Sequence, residues 1–277
     1  MEIPSLIYPA KVLLFGEYTI INGGDALVTP YNKLGGYWEV NKNAERKHDT
    51  KPFLEYIQSI GGCNKEQARK MIEEDWFFNS TIPTGYGLGS SGALTAATYE
   101  LLFEKEKDII KLQKTLARIE TYFHGSSSGL DPLASYLQKP LHANDGQITM
   151  LSELNSPRNL YIYDSGITRE SKPLIKWYKK MLLTDSEFQA GVQELTIANQ
   201  KVINEVIHDK EYSMTFKEIS SLQLNHFSKM IPPSIRLLWE HGLTNDNYYF
   251  KLSGAGGGGF FLVYTNDPSC VKGLQSL

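Results

Sequence analysis

Glu120 and Asp131, eleven positions apart, are the carboxylates of this chain whose spacing is best suited to chemistry. Transfer of a phosphoryl group to a hydroxyl needs a metal to neutralise developing charge and a carboxylate to orient or deprotonate that hydroxyl. Glu120 with Ser91 could hold Mg²⁺, which usually takes only one or two protein ligands, and Asp131 could act on the substrate. Taken alone, however, Glu120 could be a solvated surface residue, and Asp131 could simply cap the helix that begins near Pro132.

A lysine interrupts an apolar stretch near the start of the chain, where Lys11 precedes Val12–Phe15. Such a lysine either extends its ammonium group to the surface or points into a site that needs a positive charge. His124, close to the carboxylates in sequence, is by residue type more often a packed or capping histidine than a catalyst.

A glycine-rich segment at 83–92 follows the predicted strand 76–81 and leads into a predicted helix at 93–103. Glycines let the backbone approach an anion closely, and free amides at a helix start bind phosphate. The letters of Gly87–Gly92 also fit the dinucleotide pattern G-x-G-x-x-G, which requires a second strand ending in an acidic residue about 20 positions later. The candidate for that strand, 108–112, is predicted to be helical, so we favour a phosphate loop. The segment is not a P-loop either, because the pattern G-x-x-x-x-G-K-[ST] requires a lysine that is absent here.

A second glycine-rich segment, Gly254–Gly259, lies between the predicted strands 248–252 and 260–264. So many glycines carry a large entropic cost on folding unless the backbone needs unusual angles or touches a ligand. A tight hairpin needs only one or two. The excess therefore indicates either a ligand or close packing against the first loop.

The remaining pattern mixes strands with helices. Helices are predicted at 50–60, 65–74 and 108–123 and over most of 172–239, and strands at 11–15, 18–21, 34–40, 147–151 and 160–163. Polar turn residues at 155–157 suggest a boundary between domains at 1–155 and 156–277.

Composition excludes several classes of function. The net charge of −3 over 277 residues provides no global field for nucleic acid or an anionic membrane. Cys63 and Cys270 are too few for a disulfide framework. The first residues lack the pattern of a signal peptide, and no apolar run approaches the length of a membrane span. We expect a cytoplasmic protein with no nucleic-acid or membrane partner.

Three motifs resemble those of the GHMP kinases, a family named for galactose, homoserine, mevalonate and phosphomevalonate. Pro9–Tyr18 resembles the first motif, Pro83–Ala93 the second and Lys251–Phe261 the third. The segment Glu120–Asp131 is similar to that of the mevalonate kinase branch, with phosphomevalonate kinase as the closest competitor. The resemblance implies a two-domain α+β fold, with an N-terminal domain like ribosomal protein S5 and a ferredoxin-like C-terminal domain.

The resemblance also implies an activity and roles for residues. ATP would donate its γ-phosphoryl group to a hydroxyl of a small molecule, most simply mevalonate, with Mg²⁺ bound by Ser91 and Glu120. Asp131 would be the catalytic base, and Lys11 would favour its ionised form and contact the reacting oxygens. A homodimer is compatible with the family. The expected ATP-binding positions are Pro83, Gly85, Gly87, Leu88, Gly89, Ser90, Ser91, Gly92, Gly254, Ala255, Gly256 and Gly257. The expected substrate positions are Lys11, Glu17, Tyr18, His124, Ser128, Asp131, Arg169 and Ser171.

Two positions depart from the family pattern. Tyr18 stands where mevalonate kinases usually carry histidine, and Gly92 replaces the usual alanine after the serine pair. A relative that binds ATP or a metabolite without catalysis is the alternative of another class, and retention of Lys11, Ser91, Glu120 and Asp131 argues against it.

Overall fold

The computed structural model describes residues 6–40, 50–152, 154 and 157–277, and of His124 it describes the backbone alone. Two compact units are present, each built from several stretches of chain. Unit 1 comprises Met1–Val12, Thr29–Pro83 and Leu88–Lys139, and unit 2 comprises Leu13–Val28, Thr84–Gly87 and Pro140–Leu277. The predicted boundary at 155–156 lies outside the described residues, and the division into 1–155 and 156–277 stays a prediction.

Unit 1 combines strands with five helices among its described residues. The strands are the first part of β1 (Tyr8–Phe15), most of β2 (Ala26–Val40) and β3 (Trp76–Ser80). β3 pairs with β2 antiparallel, from Gly36 opposite Ser80 to Val40 opposite Trp76. The helices are α1 (Lys51–Gln58), α2 (Lys65–Glu73), α3 (Ser90–Leu102), α4 (Ile109–His124) and α5 (Leu130–Leu137).

Small residues let α3 lie at the centre of unit 1, in contact with α2, α4 and α5. Ala93, Ala96 and Ala97 are almost completely buried, so neighbouring helices approach its backbone closely. Helix α4 begins where the Asp108 carboxylate accepts hydrogen bonds from the amides of the first turn. It ends at Gly125, whose positive φ of 75° stops the helix. These two signals fix the length of the helix that carries Glu120.

Unit 2 contains a four-stranded antiparallel sheet. Its order is β7 (Tyr249–Leu252), β8 (Phe260–Tyr264), β6 (Leu160–Asp164) and β9 (Leu274–Ser276). All five residues of β8, a central strand, are buried. A hairpin of β4 (Leu141–Asn144) and β5 (Gln147–Met150) pairs with the first residues of β2. The helices are α6 (Ser171–Thr184), α7 (Ser186–Ile207), α8 (Ser213–His226) and α9 (Pro233–Asn245).

The strand pairs β2–β3, β2–β4, β4–β5, β6–β8, β6–β9 and β7–β8 are all antiparallel, which agrees with the predicted α+β class. The strand predicted at 18–21 is wrong, because Thr19–Asn22 form a short 3₁₀-helix. Its β-branched residues favour a strand, but Tyr18 has a φ of 63° and the Ile20 amide donates to the Gly16 carbonyl, which together turn the chain. No helix among the described residues is both long enough and apolar enough to span a membrane.

Candidate active site

An ion pair joins the first motif to the start of α5. The Lys11 ammonium Nζ lies 2.8 Å from Oδ2 of Asp131, and the exposed fractions of the two side chains are 6% and 37%. The backbone of Lys11 is also bonded to the first glycine loop, because the Lys11 amide donates to the Leu88 carbonyl at 2.9 Å. The buried lysine therefore points into a site, and the carboxylate it meets remains open to a small molecule.

Two glycines of the first loop make this approach possible. Gly89 has a φ of +75°, and a Cβ there would lie 2.8 Å from Cγ of Lys11. At Gly92 a Cβ would lie 3.1 Å from the Pro132 nitrogen, closer than most real contacts. The missing side chain at Gly89 leaves room for Lys11, and the missing side chain at Gly92 lets the start of α3 lie against the start of α5. Gly92, which departs from the usual alanine, therefore lies directly beside Asp131 and Pro132.

The Glu120 carboxylate is held by two hydroxyl groups. Ser91 Oγ donates to Oε1 at 3.0 Å, and Ser127 Oγ donates to Oε2 at 2.5 Å. Glu120 is only 4% exposed. Burial, followed by the charge of Asp131, raises its pKa to about 7, against the opposing effects of Ser127, Ser91 and Lys11. The two predicted functional carboxylates are therefore close enough to influence each other.

These residues fit a magnesium ion bound together with phosphates. The part of the chain that the structure describes contains no cluster of three or more His, Cys, Asp and Glu side chains that could hold a metal. Mg²⁺ needs no such cage, because it is usually held by one or two carboxylates with waters and substrate phosphates. Glu120 supplies a carboxylate and Ser91 a hydroxyl, and Oγ of Ser91 lies 3.0 Å from Oε1 of Glu120. A bound cation would offset the cost of burying the negative charge of Glu120.

Ser127 is a contact that the sequence did not single out. Its neighbour Ser128, predicted as a substrate position, is exposed, and its Oγ accepts from the Leu130 amide at 3.3 Å. Ser127 also accepts from the Gly129 amide at 2.9 Å. It thereby connects Glu120 to the loop that positions Asp131. The serine run at 126–128 signalled hydroxyl donors, but only the turn decides which one faces Glu120. His124 is predicted as a substrate position, but its side chain lies outside the part of the chain that the structure describes.

The second glycine loop, in unit 2, takes backbone angles that suit glycine. Gly254 and Gly256–Gly259 all have positive φ. A Cβ at Gly256 would meet the Met230 carbonyl at 2.6 Å, and one at Gly259 would meet the Tyr86 carbonyl at 2.4 Å. Close packing thus explains several of the glycines, including contact with the first loop at Tyr86. The amide of Gly257, a predicted ATP contact, donates to the Met230 carbonyl at 2.6 Å.

Arg169 contacts the second glycine loop and also residues 84–87 of the first loop, which belong to unit 2. Its Nη1 donates to the Ser253 carbonyl at 3.2 Å and the Gly256 carbonyl at 3.3 Å. Its amide donates to the Gly85 carbonyl at 3.4 Å, and a Cβ at Gly87 would collide with its guanidinium group. Arg169 therefore organises the loop backbone. Ser171, predicted with it, is the first residue of α6.

Glu17 lies in a fully buried ion pair with Lys251, the first residue of the third motif. Nζ of Lys251 donates to both carboxylate oxygens, at 2.5 and 2.6 Å, and to the Leu252 carbonyl at 2.8 Å. Nζ also lies 5.1 Å from the centre of the Phe15 ring. Burial lowers the pKa of Lys251, and the Glu17 charge opposes that shift. This contact of a predicted substrate residue is structural and was not visible in the sequence.

The predicted residues fall into two groups by unit. Lys11, Ser91, Glu120 and Asp131 lie in unit 1, and Glu17, Tyr18, Arg169 and Ser171 lie in unit 2 with the second glycine loop. The dinucleotide alternative finds no support in unit 1, because the helix after the first loop is followed by helix α4, where a dinucleotide fold would place a strand.

Comparison with known proteins finds similarity to the family whose motifs this sequence resembles. Residues 55–139 match the family described as GHMP kinases N terminal domain. Mevalonate kinase of Thermococcus gammatolerans is 27% identical to this chain, over 91% of the chain and 86% of the relative. The fold matches L. major mevalonate kinase solved with R-mevalonate, with a TM-score of 0.66 and 14% identity over 97% of this chain and 89% of that one. It also matches Streptococcus pneumoniae phosphomevalonate kinase, with a TM-score of 0.69 and 15% identity over 99% and 97%. At these identities the structures establish the fold, and the predicted fold class is confirmed.

Proposed function

We propose that this chain is a GHMP kinase that transfers the γ-phosphoryl group of ATP to the primary hydroxyl of mevalonate. The observation that carries the proposal is the group of four side chains in unit 1. Lys11 lies 2.8 Å from Asp131, and Ser91 lies 3.0 Å from Glu120. A chain that only bound a nucleotide would have no chemical need for both pairs.

Asp131 is the general base in this proposal. A carboxylate oxygen of Asp131 accepts the proton of the acceptor hydroxyl, the hydroxyl oxygen forms its bond to the γ-phosphorus, and the bond from that phosphorus to the leaving ADP breaks. The side chain is 37% exposed, so an acceptor reaches it without rearrangement of the helix. Its position at the second residue of α5 fixes its direction.

Lys11 supplies fixed positive charge beside the base. Because its ammonium group is nearly buried and already oriented, it can stabilise negative charge on the transferred group without reorganising solvent. Glu120 and Ser91 would hold Mg²⁺, which when bound neutralises charge on the phosphates. Glycine-loop amides, including those at the start of α3, would bind phosphate oxygens.

The acceptor is proposed from the relatives that share most of the chain, which are named mevalonate kinases. Phosphomevalonate is the alternative acceptor. The fold does not separate the two, because structures of kinases for both acceptors match this chain at similar TM-scores.

The test is a coupled assay of ADP release with Mg-ATP and a panel of alcohols: mevalonate, phosphomevalonate, galactose and homoserine. We expect kcat/KM to be highest for mevalonate. A preference for phosphomevalonate would show that the proposed acceptor is wrong, while the proposed kinase activity would stand. Nucleotide binding without turnover of any alcohol would favour the non-catalytic alternative, and tighter binding of a nicotinamide dinucleotide than of ATP would overturn the proposal.

A further inference from the structure

The side chain of Tyr18, at the position where the family usually carries histidine, is directed at the second glycine loop. Its hydroxyl donates to the Ala255 carbonyl at 2.6 Å, although the two residues are 237 positions apart. The residue is only 5% exposed. Its ring packs against the rings of Tyr178 and Phe227, with centroid distances of 4.7 and 5.6 Å. The hydroxyl of this buried ring therefore forms its hydrogen bond with the second glycine loop.

The backbone of Tyr18 is fixed as firmly as its ring. Its φ of 63° is unfavourable for a residue other than glycine. Its carbonyl accepts from the Ile21 amide at 3.0 Å and from the Tyr178 hydroxyl at 3.2 Å. Burial raises the pKa of the phenol, so the hydroxyl stays protonated and able to donate. Tyr18 thus has a rigid position from which to hold the loop.

The bond to Ala255 sets the direction of one particular amide. In a trans peptide the N–H of a residue points away from the carbonyl of the residue before it. With the Ala255 carbonyl directed at Tyr18, the N–H of Gly256 is turned to the opposite side. Arg169 holds the carbonyls of Ser253 and Gly256 in the same loop. Side chains thus bind the carbonyls of Ser253, Ala255 and Gly256, which directs these carbonyls toward the protein. Backbone N–H groups that converge in a glycine-rich loop form an anion-binding site.

We propose that Tyr18 is a positioning residue for nucleotide binding, which orients the Ala255–Gly256 peptide so that the Gly256 amide faces a phosphate oxygen, and that Tyr18 does not contact the acceptor. This inference rests on the proposed function, since it assigns the loop to ATP. It replaces the expectation that Tyr18 recognises the substrate. Acceptor recognition then depends on other residues, and the exchange of histidine for tyrosine leaves the acceptor class unchanged.

The test compares Tyr18→Phe with the unchanged protein. This variant keeps the packed ring and removes only the hydroxyl. The measured quantities are the Kd of a non-hydrolysable ATP analogue with Mg²⁺, by calorimetry, and the KM of mevalonate. We expect the analogue to bind about fivefold more weakly, in line with the loss of one neutral hydrogen bond, and the KM of mevalonate to stay unchanged.

Tyr212→Phe is the matched control. Like Tyr18, Tyr212 is nearly buried and its hydroxyl donates to a backbone carbonyl, but that carbonyl belongs to Arg158 and not to the loop. We expect a similar loss of thermal stability with unchanged affinity for the analogue. Equal weakening by both variants would mean a general packing effect and overturn the inference.

The outcomes separate this inference from the proposed function. If the unchanged protein fails to bind the analogue, the assignment of an ATP-dependent kinase fails first. If it binds, and Tyr18→Phe binds equally well, the positioning role is wrong while the kinase stands. If Tyr18→Phe raises the KM of mevalonate and leaves the Kd of the analogue unchanged, Tyr18 contributes to acceptor binding and the inference is wrong.

Discussion

The Lys11 ammonium group and the Asp131 carboxylate lie 2.8 Å apart, although 120 positions of sequence separate the two residues. The lysine is nearly buried in a strand, while the carboxylate is partly exposed at the start of a helix. A buried charge pairs with a partly solvated one, so the base is held in place and remains accessible. This geometry is the basis of the first prediction.

Replacing Asp131 by Asn is expected to lower kcat by a factor of about 10² to 10⁴, the usual contribution of a general base. Nucleotide affinity should remain close to that of the unchanged protein, because Asn has nearly the same shape and is not an expected metal ligand. Single-turnover kinetics and calorimetry measure the two effects separately. Asp145→Asn, at the exposed turn of the β4–β5 hairpin, is the matched control and should have full activity. Turnover within a few-fold of normal would remove Asp131 from the role of base.

Replacing Ser127 by Ala is expected to weaken Mg²⁺-dependent nucleotide binding by about tenfold, because loss of a partner that orients a metal ligand typically costs this much affinity. The variant removes the 2.5 Å bond to Glu120 and the acceptor of the Gly129 amide. Titration of Mg²⁺ at fixed nucleotide concentration measures the shift.

The neighbouring exposed serine provides the control, since Ser126→Ala removes the same hydroxyl group one position away. It should leave the Mg²⁺ titration unchanged. Identical curves for Ser127→Ala and Ser126→Ala would show that the hydroxyl does not organise the metal carboxylate.

The metal-free protein is expected to lose stability as the pH rises through neutrality. Burial and the charge of Asp131 raise the pKa of Glu120 from 4.5 to about 7. Between these values the folded state binds a proton that the unfolded state has released, so ∂ΔG/∂pH of unfolding is negative. The stabilisation is full below the unfolded pKa and is lost as the pH passes the folded one. A pKa raised to about 7 corresponds to an effect on stability on the order of a few kcal/mol.

Thermal unfolding with a chelator, from about pH 5 to about pH 8, measures this effect. Glu120→Gln cannot titrate, so the unchanged protein should lose stability relative to this variant over the interval. Parallel stability curves for the two proteins would contradict the buried, proton-binding state of Glu120.

Breaking the Glu17–Lys251 pair is expected to destabilise the protein strongly. Lys251→Met leaves the Glu17 carboxylate buried without its partner, which typically costs 3–5 kcal/mol, roughly the whole margin of a weakly stable domain. Removing both charges with Glu17→Gln and Lys251→Met should recover much of the loss, because no uncompensated charge remains. Denaturant unfolding of the single and double variants measures the coupling. Additive losses would show that the pair acts as two independent residues.

Several features of the site could be predicted because they depend on local chemistry. The glycine loops were recognisable because glycine is the residue that tolerates positive φ and close backbone approach, and Gly89 and Gly256 have both properties. Helix α4 followed from its apolar spacing, and its cap and terminal glycine fixed its ends. The buried lysine was noticeable as a charge within an apolar strand. The family resemblance rests on these patterns, and the α+β class that the resemblance implies is confirmed.

The sequence by itself therefore determined which residue types and loops are available for chemistry, because glycine angles, helix periodicity and motif spacing are properties of short segments. Tertiary structure decided which atoms meet. Ser127 rather than Ser128 binds Glu120, because the turn at Gly129 directs it there. Glu17 and Tyr18 bond residues 234 and 237 positions away, at Lys251 and Ala255. Such partners are brought together by the packing of distant segments, and no local pattern encodes them. The Lys11–Asp131 pair stands between these cases, since its members were predicted from sequence and their 2.8 Å contact was made by the fold.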